Sequence, residues 1–185
     1  MNAIEELENE HEAVRLTLNI LEKIGQQIKE SKQISKPEHL NQLFEFFTIF
    51  IDHCHHGKEE ELLFPALEKA GISRDGGPIG VMLSEHQKGR DLVKKMKLLS
   101  DKTLKGDVSA AESMNESIFA YTTLLNFHID KENNVLFPLA VRNLSEGKLQ
   151  ELKKGFDLIE AEKIGIGKHE AFHQMLDEFE EIYLK

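Results

Sequence analysis

Three features of this 185-residue sequence predict an all-α fold built on a duplicated helical hairpin. Apolar residues recur at helical spacing from end to end, and no stretch alternates in the way a half-buried strand does. The pattern H-x-x-x-E-x-x-x-L-F-P occurs twice, from His55 through Glu59 to Pro65 and from His128 through Glu132 to Pro138. A shorter pattern, E-H-x-x-x-R, precedes each copy, at Glu10-His11 with Arg15 and at Glu85-His86 with Arg90. The offsets nearly agree, 75 residues from His11 to His86 and 73 from His55 to His128, as an internal repeat requires.

Ile4, Leu7, His11, Val14 and Leu18 fall on one stripe, with Leu21 and Ile24 beside it, which predicts a first helix over 2–31. Polar residues around Ser31 and Ser35 form a connector, and Pro37 opens a second helix reaching Ala70. Gly71, Gly76, Gly77 and Pro78 mark the junction between repeats. The third helix starts near Pro78, carries Ile79, Met82, His86 and Val93 on one face, and ends before the Lys105-Gly106-Asp107 turn. The fourth spans 109–143 with a stripe of Tyr121, Leu124, His128, Glu132, Val135 and Leu139. Interior Pro65 and Pro138 each forfeit a backbone hydrogen bond and should bend their helices. Residues 1–143 thus form the repeat domain, and 144–185 a helical extension packed on it. In that extension Ser145 is an N-cap, Leu149, Leu152, Phe156 and Ile159 follow, Gly165-Ile166-Gly167 interrupts, and Phe172, Leu176, Phe179 and Tyr183 line a last helix.

A hydrophobic content of 40% suits a single domain with a sizeable core. The formal charge of −10 argues against nucleic acid or an anionic membrane as partner. Cys54 is the only cysteine, which excludes an intrachain disulfide and suits a cytoplasmic setting. The N-terminus lacks the basic and apolar regions of a signal peptide, and no apolar run is long enough to span a bilayer.

Residues four apart on a helix sit about 40° apart around its axis, so His55 with Glu59, and His128 with Glu132, can each reach one point. Helix two poses a choice, because His56 and Glu60 share that spacing. Phe44, Ile51 and Leu62 follow the His55 face, whereas Glu45 and Asp52 follow the His56 face. The repeat votes the same way, since Glu59 precedes Pro65 by six residues just as Glu132 precedes Pro138. His55 and Glu59 are therefore the expected ligands, His56 and Glu60 flanking groups, and His53 solvated. A lone histidine on an apolar stripe is ordinarily a core residue. His11 and His86 occupy matching places in two repeats, however, which favours convergence of all six groups. Arg15 and Arg90 suit ion pairs with nearby carboxylates, and Tyr121 and Cys54 suit packing roles. Four imidazoles and two bridging carboxylates fit a pair of first-row transition ions, iron, manganese or zinc, and not calcium or magnesium.

At these residues the sequence resembles the hemerythrin-like, HHE cation-binding family, whose pattern is H, H-x-x-x-E, H, H-x-x-x-E on successive helices. The match runs over His11, His55, Glu59, His86, His128 and Glu132. The resemblance implies an antiparallel up-down-up-down four-helix bundle holding two iron ions that bind or react with O₂, peroxide or NO, or store or sense iron. Oxygen carriers of the family place a second histidine where this chain has Arg90. That departure favours oxidant chemistry over reversible O₂ carriage, or a replacement donor such as His169 or Glu162 from the extension. A rival of another class is a zinc metallopeptidase using His169-Glu170-x-x-His173, an H-E-x-x-H match with only twelve residues after it.

Overall fold

The computed structural model describes residues 1–165 and 167–185, and among these it shows six helical rods and no strand. Helix α1 covers Ala3–Ser31 and starts in a capping box: Asn2 Oδ1 accepts from the Ile4 N–H at 2.8 Å, while the Glu5 carboxylate accepts from the Asn2 N–H at 2.9 Å. Helix α2 is the rod 37–69, with Pro37 in its first turn. Helix α3 is Pro78–Leu104, and α4 is the rod 108–143, begun by the Asp107 side chain accepting from the Ala110 N–H. Helix α5, Glu146–Lys163, is capped by Ser145, and α6 is Lys168–Tyr183. Gly165 and Gly167 between them both have positive φ, 85° and 78°; Ile166, the middle of the expected interruption, lies outside the described residues.

Two of the rods change hydrogen-bond register partway. Rod α2 is π-helical over Phe47–His56 and again over Glu59–Leu63, and α4 is π-helical over Glu132–Leu136. Both Glu-to-Leu segments end just before a Phe-Pro pair, with the Phe64 N–H donating to the Glu59 carbonyl and the Phe137 N–H to the Glu132 carbonyl. A proline lacks an N–H and crowds the carbonyl four residues back. The wider i→i+5 turn takes up that misfit, so each proline is accommodated by a change of register and the rod continues.

The extra residue per turn also moves the buried face. Val135 is exposed and Leu136 buried; likewise Leu62 is only partly covered and Leu63 buried. A stripe drawn at 3.6 residues per turn selects the wrong member of each pair. From the last α-helical residue of α2 through its first π segment the buried positions come in neighbours, Phe46-Phe47, Phe50-Ile51 and Cys54-His55-His56.

The core consists of two apolar clusters. One contains Val14, Leu18, Phe44, Ile51, Val93, Met114 and Leu125; the other contains Ile4, Leu7, Phe64, Leu67, Ile79, Met82 and Phe137. Along α1 and α3 the second cluster is met before the first, and along α2 and α4 after it. Between the clusters each of these rods contributes buried polar groups: His11, then His55 and Glu59, then His86, then His128 and Glu132. The extension joins both clusters, through Phe156 in one and Phe172 and Phe179 in the other. No helix is long and apolar enough to cross a membrane.

Candidate metal centre

The six groups meet in the polar layer. His11 and His55 bring their Nε2 atoms to 3.1 Å of each other, and His86 and His128 bring theirs to 3.2 Å. Glu132 lies between the two pairs, one oxygen 3.2 Å from His11 Nε2 and the other 3.0 Å from His128 Nε2. Glu59 reaches His86 Nε2 at 3.3 Å. Two donor groups result: His11, His55 and Glu132 in one, and His56, Glu59, His86 and His128 in the other, each with donor atoms within 4.8 Å of one another.

The outer ring nitrogens explain why the inner ones face each other. His55 Nδ1 meets Glu10 at 2.7 Å, and His128 Nδ1 meets Glu85 at 3.0 Å. His11 Nδ1 meets Asn133 Oδ1 and His86 Nδ1 meets Glu60, both at 2.7 Å. Each acceptor holds the Nδ1 proton, so that Nε2 is the nitrogen left to bind a metal once its own proton is displaced, the arrangement that metal-binding imidazoles use. The partners obey the repeat: Glu10 and Glu85 each precede a histidine of the shorter motif, and Glu60 and Asn133 each follow a glutamate of the longer one. Lys58 and Lys131, both three residues after the motif histidine, bind Glu10 and Glu85 in turn.

Both oxygens of Glu59 and of Glu132 are fully buried without a hydrogen bond. The imidazole contacts to them are close but not aligned for one. Burying two such carboxylates together is costly unless a cation sits among them. Burial and the adjacent Glu132 charge push the Glu59 carboxyl up, while Glu132, against its own burial, is held well below the usual range by His128 and its neighbours. His128 is raised to about 9: burial opposes its charge, and the Glu132 carboxylate outweighs that. Orphaned oxygens facing paired imidazole Nε2 atoms fit a pair of transition ions, and mixed nitrogen and oxygen donors fit iron.

Residues 2–140 match the hemerythrin HHE cation binding domain. The chain belongs to that family. The iron-sulfur cluster repair protein YtfE of Enterobacter sp. (strain 638) is 38% identical over 89 residues, 47% of this chain and 40% of that protein. YtfE of Yersinia pseudotuberculosis (serotype IB, strain PB1/+) is 34% identical over 90 residues, 48% of this chain and 41% of its own length. The uncharacterized protein Rv1995 of Mycobacterium tuberculosis is 26% identical over 165 residues, 89% of this chain and 64% of that protein. The chain therefore spans less than two thirds of these relatives' own length. No solved structure matches it.

Within this hemerythrin domain His56 departs from the sequence expectation. It is buried, its ring stacks on His86 with centroids 3.7 Å apart, and it belongs to the second donor group. Burial and the neighbouring His86 and His128 hold its pKa well below the ordinary histidine value, which favours the neutral ring. Placing His56 on the Glu45 and Asp52 face requires α geometry, whereas this stretch is π-helical. The doublets Phe46-Phe47 and Phe50-Ile51 were the signal that the buried face is two residues wide there. Glu60 does flank the centre, as expected, orienting His86 and pairing with Arg90 at 2.7 Å.

Among the described residues the extension brings no donor to the centre. Glu162 is exposed, and His169 is 38% exposed with Glu160 as its nearest acidic contact, 4.0 Å away. His169 and His173 are neighbours on α6, but among the described residues no third donor joins them. His53 is exposed and Arg15 makes a surface pair with Asp130. Cys54 is buried in the first apolar cluster. What the extension does supply is Glu160, 3.3 Å from the fully buried Lys58 ammonium, which also holds Glu6 and Glu10.

Proposed function

We propose that this chain is a non-haem di-iron protein in which His11, His55 and Glu132 would hold one iron and His56, His86, His128 and Glu59 the other. Four buried carboxylate oxygens without hydrogen bonds, facing imidazole nitrogens whose rings are oriented through Nδ1, carry this reading. The alternating order in which α1 to α4 meet the two apolar clusters supports an antiparallel up-down-up-down bundle over 1–143, with 144–185 as an extension of the same domain. Bound iron would supply redox and Lewis-acid chemistry. The chain's own part is orientation: Glu10, Glu85, Glu60 and Asn133 fix four rings, and the apolar clusters above and below exclude bulk water. His56 takes the role of the nitrogen that Arg90 does not provide, from the neighbouring rod. The partner we propose is a small oxidant, O₂, peroxide or NO, in the cytoplasm. Reduced protein exposed to air should oxidise quickly to a diferric form that reacts with added peroxide. An oxygenated form that releases O₂ under vacuum through many cycles would restore a carrier function.

Similarity to YtfE favours a second reading, in which the iron is donated to damaged iron-sulfur clusters. Iron handed to an apo-ferredoxin faster than to an equal concentration of chelator would support donation. Iron retained through repeated peroxide turnover would support oxidant chemistry.

A further inference from the structure

A cavity of about 260 Å³ opens between α2 and α3, and His56, Gly89 and Tyr121 are part of its wall. A diatomic or peroxide needs far less. At about 30 Å³ for each water-sized group, the space takes roughly nine. Gly89 stands inside α3, three residues beyond His86, where glycine is a poorer helix former than alanine. Close packing does not require it, because a Cβ there would meet nothing nearer than Tyr121 at 3.8 Å and Leu125 at 3.9 Å. The missing side chain keeps the cavity open beside His56.

The wall is apolar at Phe47, Ile51, Val93 and Leu125, and its charged members are Asp52, Arg90, Lys94 and Lys97. Arg90 is committed to Asp52 and Glu60. Lys94 and Lys97 are not in ion pairs among the described residues; Lys97 donates only to the Thr48 hydroxyl, at 3.0 Å. On a chain of formal charge −10, two lysines at the rim of an apolar cavity select an anion with an apolar body.

We infer that this cavity binds a small amphipathic carboxylate, its apolar part against Tyr121 and Leu125 next to His56 and its carboxylate at Lys94 and Lys97. The inference deepens the di-iron reading, on which it rests only for what would react there. It assigns the oxidant a class, a hydroperoxide carried on a carboxylate of medium chain length.

Calorimetric titration of the full-length, metal-loaded protein with octanoate, without any oxidant, tests the site. One octanoate should bind per chain, and octylammonium should not. Gly89→Leu, which fills the space, should weaken binding by about tenfold or more. The double variant Lys94→Glu with Lys97→Glu should weaken it about fivefold. Both lysines are exposed, so the double variant decides the matter even where Gly89→Leu fails to fold. Octanoate affinity unchanged in the lysine variant, or octylammonium binding as well as octanoate, would overturn the inference. Because no turnover is read, a negative result sinks the carboxylate site and leaves the di-iron reading standing. Octanoate binding by a protein that never loads iron would do the reverse.

Discussion

The rings of His56 and His86 lie face to face, centroids 3.7 Å apart and planes 12° from parallel. His56 can therefore serve as packing for a ligand or as a ligand itself, and two substitutions separate the roles. His56→Phe keeps a stacking ring without a nitrogen donor, whereas His56→Gln keeps a polar donor without the ring. If His56 donates, His56→Phe should bind the second iron about 10 to 100 times more weakly, read by chelator competition. Iron affinity preserved in His56→Phe and lost in His56→Gln would leave it a packing residue.

Glu10 and Glu85 occupy equivalent positions and orient His55 and His128. Glu10→Gln and Glu85→Gln keep shape but offer a weaker acceptor. Each should lower iron affinity about 10 to 100-fold without changing the number of irons bound. Unaltered affinity in both would mean that the His55 and His128 rings are held by packing alone.

Lys58 and Lys131 are also repeat equivalents, yet one is fully buried and the other 39% exposed. Lys58→Met removes the buried cation between the largely buried Glu6 and Glu10, leaving Glu6 only Lys153 and Glu10 only His55, and should cost about 3 kcal/mol in denaturant unfolding. Lys131→Met should cost no more than about 1 kcal/mol. Equal costs would contradict the difference in burial.

Cys54 should be inert in the folded protein at ordinary pH. Burial pushes its thiol up to about 12 from 9.0, the nearby Lys58 charge opposing only in part. A folded-state pKa above the unfolded one gives stability that is complete below pH 9 and lost as pH rises toward 12. Iodoacetamide at pH 8 should label the native protein far more slowly than the unfolded one, and stability should fall through that alkaline window. Equal labelling rates would show the thiol accessible and ionisable.

The sequence made much of this arrangement legible because two repeats constrain each other. The stripe from Ile4 to Ile24 is buried as expected, the Ser145 cap is present, and the convergence of His11, His55, Glu59, His86, His128 and Glu132 follows from the matched motifs. Other parts depended on register. Leu63 and Leu136 replace Leu62 and Val135 in the core because a π turn adds a residue before each proline, and His56 turns inward for the same reason. The Lys58 and Lys131 equivalence was written plainly, as H-x-x-K-E in both repeats, but its meaning needed the positions of Glu10 and Glu85. The cavity beside Gly89 has no local signal beyond a glycine inside a helix.

On the proposed function, two carboxylates and the surrounding imidazoles hold a pair of irons. Metal analysis and optical spectroscopy of protein purified from iron-replete cells, alongside His55→Ala and Glu132→Ala, test it most directly. The wild-type protein should carry about two irons per chain, with an oxo-bridged ferric pair absorbing in the near ultraviolet, and both variants should lose that absorption. A single zinc without iron, or full iron content in either variant, would contradict it.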